Sequence, residues 1–201
     1  MQINWTPVRR DEALTATKQG DVLIINGEVF DFSPLPDGAT LPSLAVPCEW
    51  LTSDVERAGG DISLTLFLPH GANAPQETRF PQPVVMAEDG PVPGAEGDQP
   101  AETVQAVIDW SQLITAEGKA EAAATELALA RKAECRERIL AVADETAQMN
   151  LAAAAAAGAL DETQLQIFRS GVSWIHAMRE AQADGNWPDV PPGVAELAAA
   201  F

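Results

Sequence analysis

The chain contains no tyrosine, two cysteines and two histidines, and it is poor in cations: 12 Lys+Arg stand against 30 Asp+Glu, a net charge of −18. Each shortage excludes something. Cys48 and Cys135 are too few for a disulfide scaffold or a zinc cage. Phosphate binding needs clustered cations, so neither a nucleic acid nor an anionic membrane surface is expected as a partner. No run of about 18 apolar residues is present, so no membrane-spanning segment is expected. Met1-Gln2-Ile3-Asn4-Trp5 lacks the charged-then-apolar pattern of a secretory signal. What is present suits a packed core: 46% of the 201 residues are hydrophobic, with a mean hydropathy of −0.05. The composition predicts an acidic, soluble, cytosolic protein of one domain or two small ones.

Texture divides the chain into three. Residues 1–86 carry 5 basic and 11 acidic groups in strand-like patterns and predict a small β domain. Residues 87–102 hold five acids, no base and many Pro and Gly, and read as a solvated linker. Residues 103–201, with 7 basic and 14 acidic groups, are Ala-rich and predict a helical domain. The fold class expected is therefore α+β: a small antiparallel β-module, an acidic Pro/Gly linker, and an α-helical hairpin.

Local signals fill this in. Asn26-Gly27 lies between Val22-Leu23-Ile24-Ile25 and Glu28-Val29-Phe30-Asp31-Phe32, the signature of a two-residue type I′ hairpin, whose central residues both need positive φ. Ala58-Gly59-Gly60-Asp61 predicts a second hairpin, after which Ile62, Leu64, Leu66 and Leu68 share one strand face. Pro34, Pro36, Pro42 and Pro47 exclude helix between the hairpins. Thr115 is a plausible N-cap, and residues 116–157 contain no proline, which predicts one helix roughly 60 Å long ending at Gly158. Asp161 and Gln164 form a capping box for a second helix over 162–183, antiparallel to the first. Val194 to Phe201 can add a last turn or two.

The chemistry-bearing residues form no recognisable constellation. His70 follows a strand and His176 sits in a helix, and neither has a ligand at i+3 or i+4. Cys135 has Lys132 and Arg136 nearby, but Glu134 and Glu137 oppose a lowered pKa. Cys48 reads as a small core residue. Gly-x-Ser-x-Gly and Walker patterns are absent, and Gly90, Gly94 and Gly97 lie among acids that repel phosphate. Asp144-Glu145 and Asp161-Glu162 read as ordinary helix features rather than a glycosidase pair. No enzyme, cofactor or metal site is expected. Of the five tryptophans, Trp187 in the Pro-rich tail is the best interface candidate. A helix over 116–157 is about twice as long as its predicted partner helix. It would leave Leu127, Leu129, Ile139, Leu140, Val142, Met149 and Leu151 in need of cover by a second copy, another protein or the β-module folding back, with Leu127, Ile139 and Met149 as the interface candidates.

Two stretches carry a resemblance. Asn26-Gly-Glu-Val-Phe-Asp-Phe-Ser-Pro-Leu-Pro-Asp-Gly-Ala39 and Leu68-Pro-His-Gly-Ala-Asn-Ala-Pro-Gln-Glu-Thr-Arg-Phe-Pro81 resemble the N-terminal part of small tail proteins of tailed bacteriophages, such as those encoded near the tail-tip genes of Mu-like siphophages. The second half, from Asp109-Trp110-Ser111 through Phe168 and Arg179 to Trp187-Pro188 and Pro191-Pro192, is similar to tail-fibre assembly chaperones. The resemblance implies a structural component of the virion tail tip or baseplate, made in the host bacterial cytoplasm, oligomeric, and bound to fibre or baseplate subunits. The alternative it implies is an assembly chaperone that is not retained in the particle.

Overall fold

A computed structural model describes all residues except Asp98 and Ala101. The class is α+β. The chain divides into two compact units, Met1–Ala120 and Glu121–Phe201.

The first unit contains β1 (Gln2–Arg9), β2 (Ala16–Gln19), β3 (Val22–Ile25), β4 (Glu28–Asp31), β5 (Thr40–Leu41), β6 (Val55–Ala58), β7 (Asp61–His70), the one-turn α1 (Gln76–Arg79), β8 (Val84–Val85), β9 (Gly90–Pro91) and β10 (Val104–Gln105). They form two five-stranded sheets, ordered β5-β6-β7-β1-β8 and β10-β4-β3-β2-β9. Both predicted hairpins form. Asn26 and Gly27 have φ of 47° and 85°, as a type I′ turn requires, and join β3 to β4 antiparallel. Gly59 and Gly60 turn β6 into β7. Ile62, Leu64, Leu66 and Leu68 are all buried. One core lies between the sheets, with Ile3, Leu64 and Leu66 from one and Leu23, Ile25 and Phe30 from the other.

The sheets are mixed rather than antiparallel throughout, because β1 pairs parallel with β7 and β10 parallel with β4. Some fifty residues separate β1 from β7, ample for the crossover that parallel pairing needs. Both central strands carry a proline, and strand parity explains why they are tolerated. Phe67 N–H donates to Trp50 and the Thr65 carbonyl accepts from Thr52, so odd positions of β7 direct their main chain away from β1. The Met1 carbonyl accepts from Met86, so odd positions of β1 direct theirs away from β7. Pro69 and Pro7 share that parity, and neither interrupts the ladder between the two strands.

The expected linker is corrected by the structure. The described residues of 87–102 are woven into the first unit. β9 is an edge strand on β2. Val92 N–H donates to Ala16 O and Ala16 N–H to Ala95 O, each at 2.9 Å. Val92 and Ala95 are buried in the core. The Gln99 side chain accepts from Gly27 N–H at 3.0 Å and donates to Ile24 O at 3.2 Å. An acidic, Pro/Gly-rich stretch thus joins a sheet through its backbone, two apolar side chains and the polar side chains of Asp89 and Gln99. The boundary expected at 103 moves as well: Thr40 and Ile114 form a two-bond bridge, so residues 103–115 belong to the β unit.

The helical unit differs from the expected hairpin in one respect. The helix over 116–157 is two helices, α2 (Ala116–Val142) and α3 (Glu145–Ala156). Asp144 is extended and its carboxylate accepts from Ala147 N–H at 2.8 Å, so it is an N-cap and not a helix-surface residue. Thr115 caps α2 through Gly118 N–H, as expected. Gly158, at φ 68°, ends α3. α4 (Glu162–Glu180) begins with the Asp161/Gln164 capping box and runs into a 3-10 turn over Ala181–Ala183. α5 (Val194–Ala199) follows the Pro-rich tail. Gly171 permits close packing of α5 on α4, where a Cβ would meet Val194 at 3.2 Å.

Candidate protein-interaction surfaces

The break at Asp144 rearranges the surface predicted for a single long helix. Ile139 turns inward and is buried with Cys135, Trp174 and Met178, so it is removed from the interface candidates. Leu151 is buried with Ala143, Ala147, Leu197 and Ala198, while Leu140 and Val142 are half-buried. Leu127 and Met149 remain exposed, at 51% and 67%, and Leu129 at 64%. Trp187 is half-buried against the Cys135–Ile139 cluster, with the Arg138 guanidinium 5.6 Å from its ring centroid. It anchors the tail on the helices and remains partly exposed. The structure therefore does not gather the four candidates into one site.

Three other features of the helical unit were not foreseen. An apolar groove of about 160 Å³ lies between α3, α4 and α5, walled by Leu151, Ile167, Phe168, Trp174 and Leu197. Val172, 41% exposed, is among its lining residues. The groove depends on α3 turning back at Asp144 and on the glycine at 171, so no stretch of sequence reports it alone. A second, open groove of about 280 Å³ is lined by Lys132, Arg136, Arg179 and one acid, Glu145, around Cys135, Ile139 and Leu140. Arg136 is held by Glu145 at 2.8 Å, whereas Lys132 and Arg179 have no ion pair among the described residues. Arg131 donates to the carbonyls of Ala183 and Asp184 and so closes the C-terminal end of α4.

In the β unit, Leu44 and Val107 are the most exposed large apolar residues, at 91% and 84%. Asp109 N–H donates to Ala45 O at 2.8 Å, which brings their two segments together. Its polar clusters serve the fold. Lys18, 7% exposed, donates to Asp89 at 2.7 Å, and the same oxygen accepts from Gly20 N–H. These bonds hold the Asp89 carboxyl below the usual carboxylate range. Arg57 donates to Asp21 at 2.8 Å and to Phe32 O at 3.1 Å, tying the β6–β7 hairpin to the other sheet. Asp31 and Asp109 are lowered by hydrogen bonds from Ser33 and Ser111 respectively, with Gln112 adding to the second. Burial pushes the Cys48 thiol up, which favours the protonated, unreactive form. His70 contacts its own turn at Gly71 O, and His176 is exposed on α4.

Among the described residues, no group of three His, Cys, Asp or Glu could hold a metal ion, and no helix is long and apolar enough to cross a membrane. No protein-family model matches the chain, and neither the curated proteins nor the solved structures contain a match to it.

Proposed function

We propose that the protein is a structural component of a bacteriophage tail tip or baseplate, working through contacts with other tail proteins. The reading rests on the resemblance of segments 26–39 and 68–81 to small phage tail proteins. The observation that carries it furthest is the apolar groove between α3, α4 and α5. It is lined almost wholly by hydrocarbon and aromatic side chains, and suits an apolar side chain or helix of a neighbouring subunit better than a polar substrate. The exposed Leu44 and Val107 give the β unit a contact surface of its own. A protein with one docking surface on each of two separately packed units is suited to connect fibres or other subunits. Quantitative mass spectrometry of purified, infectious particles tests this. A fixed copy number per tail is the expected result. Presence in assembly intermediates and absence from particles would replace it with the assembly-chaperone reading, to which the Trp/Pro tail after α4 lends itself.

A further inference from the structure

We propose that α2 pairs antiparallel with α2 of a second copy of this chain, about a two-fold axis near residues 130 and 131. The proposal rests on the charges and exposure of this helix and is independent of any role in a phage tail.

The first ten residues of α2 in the helical unit, 121–130, are all exposed. Alanine-rich helix without tertiary cover is marginal in water, because most helical stability in proteins comes from packing. The same segment carries Glu121 and Glu126 and no cation, a net of −2. Residues 131–140 carry Arg131, Lys132, Arg136 and Arg138 against Glu134 and Glu137, a net of +2. An antiparallel pair sets the acidic half of each helix against the basic half of the other, twice over.

One face of the helix has the spacing that such a pair requires. Glu121, Thr125, Leu129, Lys132, Arg136 and Leu140 are separated by 4, 4, 3, 4 and 4 residues, a symmetric series. At 3.6 residues per turn they fall within an arc of about 100°. All six are exposed except Leu140, which is half-buried. The two-fold puts Leu129 over the aliphatic stem of the second copy's Lys132, and Thr125 beside its Arg136. Glu121 enters the open groove near Leu140, between Arg136 and Arg179, where Lys132 and Arg179 have no ion pair among the described residues of a single copy. A 4-4-3 spacing corresponds to about 3.67 residues per turn, close to the helical repeat, and so holds these positions on one face along the helix.

Sedimentation velocity of the full chain over a range of concentrations and salt tests the pairing. The wild type is expected to form a dimer that salt weakens, since the attraction is between exposed charges. Lys132→Glu places two new repulsions on the axis and is expected to weaken the dimer at least about tenfold. Adding Leu129→Lys to that variant sets a lysine opposite each new glutamate in the proposed register and is expected to restore most of the loss. Lys132 and Leu129 are exposed, so circular dichroism should show unchanged helix in both variants. A wild type that is monomeric at every concentration, an oligomer other than a dimer, indifference to Lys132→Glu, or no rescue by Leu129→Lys would each overturn the proposal.

Discussion

Truncating Val92 to alanine discriminates sharply between a tether and an integral strand at residues 87–102. Val92 is fully buried, its N–H donates to Ala16 O, and its carbonyl accepts from Ala95 N–H. The substitution removes two buried methyl groups, worth about 0.8 kcal/mol each by transfer. The space left behind adds to that, because the neighbours relax only in part, so the loss should be about 2 to 3 kcal/mol. With a urea m-value of about 1 to 3 kcal/mol/M, the midpoint should fall by about 0.7 to 3 M. The transition is best followed by fluorescence in a variant with Trp174 and Trp187 replaced by Phe, so that the remaining tryptophans report on the β unit. In limited proteolysis the native chain should resist cleavage at 87–102, and Val92→Ala should sensitise it. A midpoint shift equivalent to less than about 0.5 kcal/mol, the size of a neutral surface change, together with ready cleavage of the native chain, would refute the strand assignment.

Other outcomes follow from single features. Gly27→Val should cost the β unit more than about 1 kcal/mol, measured by the same unfolding, since φ is 85° and a Cβ would also meet Pro100 at 3.0 Å. Asp144→Ala should lower the thermal stability of the helical unit by about 1 kcal/mol through loss of the α3 cap, while Asp144→Asn should retain most of it. Asp31, Asp89 and Asp109 all have folded pKa values below the usual carboxylate range. The unfolded chain therefore binds their protons first as pH falls. The stability these groups give is fully present above about pH 4 and is lost as the pH drops through the folded values. Melting of the β unit should fall with acid over that range, and Asp89→Asn should make the fall shallower.

Some of this architecture was legible in local chemistry and some was not. Asn26-Gly27, Gly59-Gly60 and the Asp161/Gln164 box each specify their geometry within a few residues, and each forms as read. The alternation from Ile62 to Leu68 named a buried face because a strand has period two. The failures share a cause. The described part of 87–102 joins the sheet mainly through main-chain hydrogen bonds, which every composition offers equally, and its side-chain anchors, Val92, Ala95, Asp89 and Gln99, form no periodic pattern. Asp144 was hidden inside an alanine-rich run with helical propensity on both sides; the aspartate followed directly by Glu145 was the available signal. Missing that break exposed Ile139 and Leu151 on paper, where the folded chain buries them. The grooves need three helices at once, and no single periodicity encodes them.

The way the sheets end bears on where a partner can bind. All four outer strands, β5, β8, β9 and β10, are two residues long. An added strand would have to pair with such a stub or with the stretch of β1 beyond Ile3 that β8 leaves uncovered. There the open side presents odd positions, and Pro7 withholds its donor in the middle of the row. Short, proline-interrupted edges are the usual defence against edge-to-edge aggregation. A net charge of −18 acts in the same direction by keeping copies apart at long range. Association must then come from surfaces that reverse this repulsion locally or offer apolar contact. In the helical unit those are the basic half of α2 with Arg179 and the groove between α3, α4 and α5, whose linings share only Gln148. Pairing of two copies through α2 would leave the apolar groove open to a different protein. Saturating the α2 pairing should accordingly leave binding at the apolar groove unchanged, and a Val172→Asp substitution should abolish that binding without altering the dimer.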